Sequence, residues 1–221
     1  MSLADRPVST GPHGNAKILT AGHPVAGAKA AIVLCHGRGA TADGMLSLAS
    51  EFTAPGAIFV APQANGGAWY PRSFLAPLRE NAPHLPSAIA LLESVVHELG
   101  ADGIPPERVV LLGFSQGGCL ALEFAGRNAR RYGGLVGLSA GLIGPRGRSW
   151  DFAGTLAGTP VFLGCSDRDP HIPRERVEES GRELERIGGV VELTLYRGLG
   201  HTVNAEEVER VQAIVDGVLG A

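Results

Sequence analysis

Gly113-Phe114-Ser115-Gln116-Gly117 is a G-x-S-x-G run that closes a predicted strand (residues 108–114) and opens a predicted helix (116–128) rich in Ala, Leu and Phe. A sharp strand-to-helix turn strains the serine backbone and leaves no room for side chains two residues to either side, hence Gly113 and Gly117. Such a turn lifts the serine hydroxyl above the sheet. The helix N-terminus aims its free amides and the positive end of its dipole at the same spot. The chemistry this suits is nucleophilic attack on a carbonyl carbon, with the Gln116 backbone N–H as half of an oxyanion hole. Gly137-Leu138-Ser139-Ala140-Gly141 also fits the pattern after a predicted strand. There, however, Leu142-Ile143-Gly144-Pro145 and Gly147 follow, which cannot begin a long helix. Ser115 is therefore the expected nucleophile, and Ser139 is not.

A serine hydroxyl needs a base within hydrogen-bond reach and an acid to orient that base. In the chain order Ser, acid, His, only His171 and His201 follow Ser115. His201 lies in Gly198-Leu199-Gly200-His201-Thr202, between the last predicted strand and the last predicted helix, and is the expected base. Asp167 and Asp169 both follow the predicted strand 160–164, and spacing hardly separates them. Pro170 pushes Asp169 into an extended conformation and so favours it slightly. Asp167, Asp169 and His171 could also be read as metal ligands, but no second ligand set stands out elsewhere, so no metal is expected. The remaining histidines, His13, His23, His84 and His97, are expected at the surface or at caps.

After the first strong strand comes His36-Gly37-Arg38-Gly39-Ala40, a glycine-rich turn able to present a second amide, that of Arg38, to a developing oxyanion. The same stretch, Gly37-Arg38-Gly39-Ala40-Thr41-Ala42, fits the G-x-G-x-x-A of a dinucleotide site. A nicotinamide enzyme would want a carboxylate at the end of the next strand. Val60-Ala61-Pro62-Gln63 stands there instead.

The elements that must hold these residues alternate. Strands are predicted at 30–35, 57–61, 108–114, 134–139, 160–164 and 190–196, and helices at 41–52, 87–99, 116–128, 174–187 and 205–219. Strands that are apolar throughout imply burial on both faces. Alternation with helices gives an α/β fold with a mostly parallel central sheet, helices on both faces, and its chemistry at the carboxyl ends of the strands. Residues 1–29 read as an irregular N-terminal arm with a candidate edge strand at 16–20, and residues 30–221 as a single domain. The connection 62–86 carries five prolines and the pair Gly66-Gly67. A structureless loop of that length is uncommon unless functional. It also holds Trp69, Tyr70, Phe74 and Leu75, which are expected to line a substrate site.

At 221 residues and 44% hydrophobic composition, the chain can bury a real core. Its net charge of −3, without a basic block, argues against nucleic acid as a partner. No apolar run is long enough to span a membrane. Met1-Ser2-Leu3-Ala4-Asp5-Arg6-Pro7 lacks the pattern of a secretory signal. Cys35, Cys119 and Cys165 read as small buried hydrophobes. A cytoplasmic protein acting on a small molecule is expected, with a homodimer left open.

On His36-Gly37-Arg38-Gly39, Gly113-Phe114-Ser115-Gln116-Gly117-Gly118, Asp169-Pro170-His171-Ile172-Pro173 and Gly200-His201, the chain resembles the phospholipase/carboxylesterase family of α/β-hydrolases, which includes the acyl-protein thioesterases. The likeness runs from about residue 30 to the C-terminus. It implies an α/β-hydrolase fold, hydrolysis of carboxylic esters and thioesters without a cofactor, and Asp169, in the Asp-Pro pair, as the acid. Arg38 departs from the apolar residue that the thioesterases carry before Gly-Asp, and the Trp69-Tyr70-Pro71 stretch is not theirs either. Short to medium acyl chains are therefore the expectation. The rival is a ligand-binding protein of the same fold that has lost turnover.

Overall fold

The structure is a computed structural model that describes residues 11–220. Expectations for residues 1–10 lie outside it. The apolar runs form the strands they predict: β2 (Ala30–Cys35), β3 (Ala57–Pro62), β4 (Val109–Phe114), β5 (Gly134–Leu138) and β6 (Pro160–Ser166). These five are buried almost end to end, with successive side chains sent to opposite faces. Ala31, Val33, Val109 and Leu111 join one core, and Ile32, Leu34, Val110 and Leu112 the other.

The sheet order is β1-β3-β2-β4-β5-β6-β7, and only β1 (Ile18–Gly22) runs antiparallel, with Ile18 opposite Pro62. That edge strand is shifted by two residues from the expected 16–20. β7 (Val190–Tyr196) closes the other edge. Its Val-Val-Glu-Leu-Thr-Leu-Tyr sequence is not apolar throughout, and it is only part-buried, as an edge strand covered on one face should be.

Helix α1 (Ala42–Ala49) and helix α5 (Ala205–Leu219) pack on one face. Helices α2 (His84–Ala101), α3 (Gln116–Arg127) and α4 (Arg174–Arg186) pack on the other. α1 stops short of residue 52 because its last turn tightens into the bonds Ser50 N–H to Ser47 O and Glu51 N–H to Leu48 O. α2 starts three residues earlier than expected, since Pro86 falls in its first turn, where no intrahelical donor is lost.

From β2 the chain passes through α1 to β3 on one side. From β3 it passes through α2 to β4 on the other. The direction of winding thus reverses between β2 and β4, and the loops leaving their carboxyl ends flank a crevice.

The 62–86 connection is not structureless. It contains short 3-10 turns at Asn65–Gly67 and Leu78–Asn81. The buried Asn81 pins it from within, accepting from Arg72 N–H at 2.8 Å and donating to Ser73 O at 3.0 Å. His13, expected at the surface, is fully buried. Its ring bonds Trp69 O at 3.0 Å, and its backbone N–H donates to Ser87 Oγ. A neutral ring with two polar partners packs here as a core residue, which a lone histidine in sequence does not announce. All three cysteines are free and buried. Among the described residues, no helix is long and apolar enough to cross a membrane.

Candidate active site

Ser115 stands between β4 and α3 with φ 53° and ψ −121°, a left-handed conformation rare outside glycine. The strain is enforced by contact. A Cβ on Gly117 would lie 2.1 Å from Cys35 O, and one on Gly113 2.4 Å from the Gly117 backbone. Only glycines let α3 start so close to β2 and β4. The first-turn amides of α3 have no intrahelical acceptor and open beside the serine hydroxyl.

His201 reaches that hydroxyl from the loop after β7. Its Nε2 is 2.9 Å from Ser115 Oγ, and its Nδ1 is 2.7 Å from Asp169 Oδ2. With the proton on Nδ1 donated to the carboxylate, Nε2 is free to accept from the serine. The Asp169 side chain is wholly buried and His201 is 19% exposed, so of the two it is the imidazole that meets solvent. Burial pushes the Asp169 carboxyl up. Hydrogen bonds from His201, from His171 N–H at 2.8 Å and from Ile172 N–H at 3.0 Å outweigh it, holding the group below its usual range and charged.

Asp167, which spacing could not tell from Asp169, does something else. Its Oδ1 accepts from Gly198 N–H at 2.8 Å, and Ser166 Oγ accepts from Gly200 N–H at 3.1 Å. Together they tie the histidine loop to the end of β6. His171, expected only as a neighbour of the acids, packs edge-on against the His201 ring (centroids 4.8 Å apart, 80°), with Phe114 on another side at 4.9 Å. Among the described residues, no group of three or more His, Cys, Asp or Glu side chains is placed to hold a metal ion.

Ser139 also takes a left-handed backbone (φ 45°), which its sequence setting did not suggest. No helix follows it, and its side chain is fully buried. Gln63 stands where a dinucleotide site would need a carboxylate. It is fully engaged, its Oε1 capping α1 at Ala42 N–H and its Nε2 on the buried His36.

The turn after β2 gives its Gly39 N–H to Gly67 O and its Ala40 N–H to Gly37 O, and the Arg38 amide takes part in neither bond. The Arg38 side chain donates to the carbonyls of Tyr70 (2.8 Å), Pro71 (3.2 Å) and Arg72 (2.8 Å). The Gln116 side chain accepts from Trp69 N–H at 2.9 Å and donates to Tyr70 O at 2.8 Å. Arg38 and Gln116, both in the wall of the cavity that holds Ser115, thus hold the 62–86 connection with their side chains. The sequence signal for this was weak, a polar residue on each side of a proline-rich loop.

A cavity of about 420 Å³ opens above Ser115, walled by Arg38, Tyr70, Phe74, Cys119 and Ile172. Of the four residues expected to line a substrate site, Tyr70 and Phe74 are in the wall of this cavity and Trp69 and Leu75 are not. Trp69 is completely buried, its indole N–H donating to His36 O at 2.8 Å and its ring 4.9 Å from the His36 ring, while Leu75 packs against the core beneath. An indole's donor must find a partner when buried, and the nearest acceptor lies in the turn after β2 rather than in the cavity.

A mostly parallel sheet flanked by helices, with a strained serine turn after its central strand β4, defines an α/β-hydrolase. The chain belongs to the phospholipase/carboxylesterase family, whose pattern it matches over residues 15–218, and it is a hydrolase. It is 42% identical to a phospholipase/carboxylesterase from Dyadobacter fermentans, covering 90% of this chain and 96% of that one with a TM-score of 0.87. It is 29% identical to acyl-protein thioesterase 1 of Kluyveromyces lactis over 203 residues, 82% of this chain and 89% of that protein. With acyl-protein thioesterase 1 of Gibberella zeae the identity is 36% over 120 residues, 52% of this chain, so the match spans about half (49%) of that protein's length.

Proposed function

We propose that the protein cleaves carboxylic esters, and thioesters by the same route, through an acyl-enzyme on Ser115. The observation that carries this reading is the unbroken chain from Ser115 Oγ through His201 to Asp169, at 2.9 and 2.7 Å. Ser115 Oγ attacks the substrate carbonyl carbon while its proton passes to His201 Nε2, and Asp169 stabilises the imidazolium. The carbonyl oxygen, now negative, takes hydrogen bonds from the Arg38 and Gln116 amides. The bond to the leaving oxygen or sulfur breaks, and Nε2 returns the proton to that atom. Water then attacks the acyl-enzyme, giving a proton to Nε2. The Ser115 ester bond breaks, the serine regains its proton, and a carboxylic acid departs. No step calls for a metal or a cofactor.

We favour short to medium acyl chains, with Tyr70 and Phe74 in the wall of a cavity of about 420 Å³. The relatives named as acyl-protein thioesterases make a thioester a natural alternative substrate.

Treatment with a fluorophosphonate followed by peptide mass spectrometry should place the adduct on Ser115. Ser115→Ala should lose both the label and ester turnover. An adduct on Ser139, or an unlabelled wild-type protein, would overturn the reading, the latter in favour of a fold-preserving binder without turnover.

A further inference from the structure

His201 also borders a second groove, next to the cavity above Ser115. It holds about 400 Å³ and runs along α1. It shares Gly37, Ala40, Phe114 and His201 with the first cavity and continues past them to Met45, Leu48 and Val203. The α1 contribution comes from Thr41, Gly44, Met45 and Leu48, spaced three, four and seven apart and therefore on one helix face. Gly44 leaves the floor open, since a Cβ there would meet nothing closer than Thr41 Oγ1 at 3.4 Å.

The two arms are chemically distinct with respect to the reaction. In the acyl-enzyme reading above, the carbonyl oxygen is assigned to the Arg38 and Gln116 amides and the acyl chain to the arm walled by Tyr70 and Phe74. The leaving atom must come within reach of His201 Nε2 to be protonated. Thr202 and Val203, the next residues on the histidine loop, wall the α1 groove rather than the acyl cavity. Apart from His201, no ionisable side chain among the described residues lines this groove. A charged group entering it would lose its water without gaining a partner.

We propose that the α1 groove, formed by Gly44, Met45, Leu48 and Val203, is the leaving-group site and that it selects an uncharged, apolar alcohol or thiol. This rests on the acyl-enzyme reading above and adds to it a specificity on the far side of the scissile bond. Substrates whose leaving group bears a phosphate or carboxylate are accordingly poor.

The test is two ester series on the full chain, one of acetates with alcohols from methyl to octyl, the other of methyl esters with lengthening acyl chains. In the wild type, kcat/KM for the acetates should climb with alcohol length by up to about fourfold per methylene. Gly44→Leu, which also favours the helix, should flatten the alcohol series while the acyl series keeps its slope. Leu48→Gln should weaken the alcohol series as well, and it serves as the second variant should Gly44→Leu fail to fold. 4-Acetoxybenzoate should be cleaved at least tenfold more slowly than its uncharged methyl ester. A flat alcohol series in the wild type overturns the proposal, and so does flattening of the acyl series by Gly44→Leu, since that would exchange the two arms. Absence of any ester turnover together with absence of a Ser115 adduct would instead remove the acyl-enzyme reading beneath it.

Discussion

Two aspartates two residues apart on one loop are committed to different work by a few ångströms. Asp169 accepts from the His201 ring, and its other oxygen is locked by the His171 and Ile172 amides. Asp167 accepts the Gly198 amide instead. Removing the charge from Asp169 leaves the imidazole without a partner for its growing positive charge and frees the wrong tautomer to form. Asp169→Asn should therefore lower kcat by about 10³–10⁴-fold. Asp167→Asn retains an amide oxygen to accept from Gly198 N–H, so its kcat should stay within about tenfold of wild type. Saturation kinetics on a p-nitrophenyl ester measures both, and the reverse ranking would assign the acid to Asp167.

At the scale of elements, the part that shapes the acyl cavity is the connection between β3 and α2. It is held by Gln116 at Trp69 and Tyr70, by Arg38 at Tyr70, Pro71 and Arg72, and by Asn81 at Arg72 and Ser73. The Arg38 charge therefore has three carbonyl partners. With its charge engaged in this way, Arg38 is expected to act on acyl length less than the aromatic walls Tyr70 and Phe74 do. Along a series of p-nitrophenyl esters, kcat/KM should rise and then break well before palmitoyl. Phe74→Ala should move the break to longer chains. Arg38→Leu should leave the break in place and lower the whole series several-fold, since a loosened wall costs roughly 1 kcal/mol at every chain length. A break that moves in Arg38→Leu and stays in Phe74→Ala would return control of length to the charge.

Across the whole molecule, α5 is anchored against the sheet by a buried carboxyl. Glu207 closes a capping box with Asn204, and its Oε1, lacking a partner, lies against Gly164 on β6. Burial pushes it up to about 7. A folded-state value above the unfolded one means that the folded chain holds an extra proton between about pH 4.5 and 7. The stability tied to this group is thus full below that window and is lost as pH rises through it. Buried His13 and His36, both pushed down by burial, act oppositely, as does Asp169, so their contributions are lost on the acid side. Glu207→Gln keeps an acceptor for Asn204 N–H and cannot ionise. Urea unfolding should show it gaining on wild type between pH 5 and pH 8, by on the order of 1–3 kcal/mol. An advantage that does not grow with pH would show that Glu207 is already ionised at pH 5.

What the sequence by itself determined is what local sterics and periodicity impose. Gly113, Ser115 and Gly117 between an apolar strand and a helix admit one turn, and all-apolar runs alternating with helices admit little besides a covered parallel sheet. The loop carrying His201 was legible for the same reason, by its place between the last strand and the last helix with Gly198 and Gly200 just before the histidine. Tertiary structure decided whatever depended on partners distant in the chain. It separated Asp169 from Asp167, because the amides that orient each carboxyl come from different turns. It placed Trp69 in the core, where burying the large ring is favourable once its indole N–H has an acceptor, here His36 O. It turned Arg38 from a free charge into a clamp, because three carbonyls of the loop after β3 converge on it. Finally, it set α1 beside the histidine loop, since only the packing of α1 against the sheet brings Met45 and Leu48 to the wall that Val203 completes.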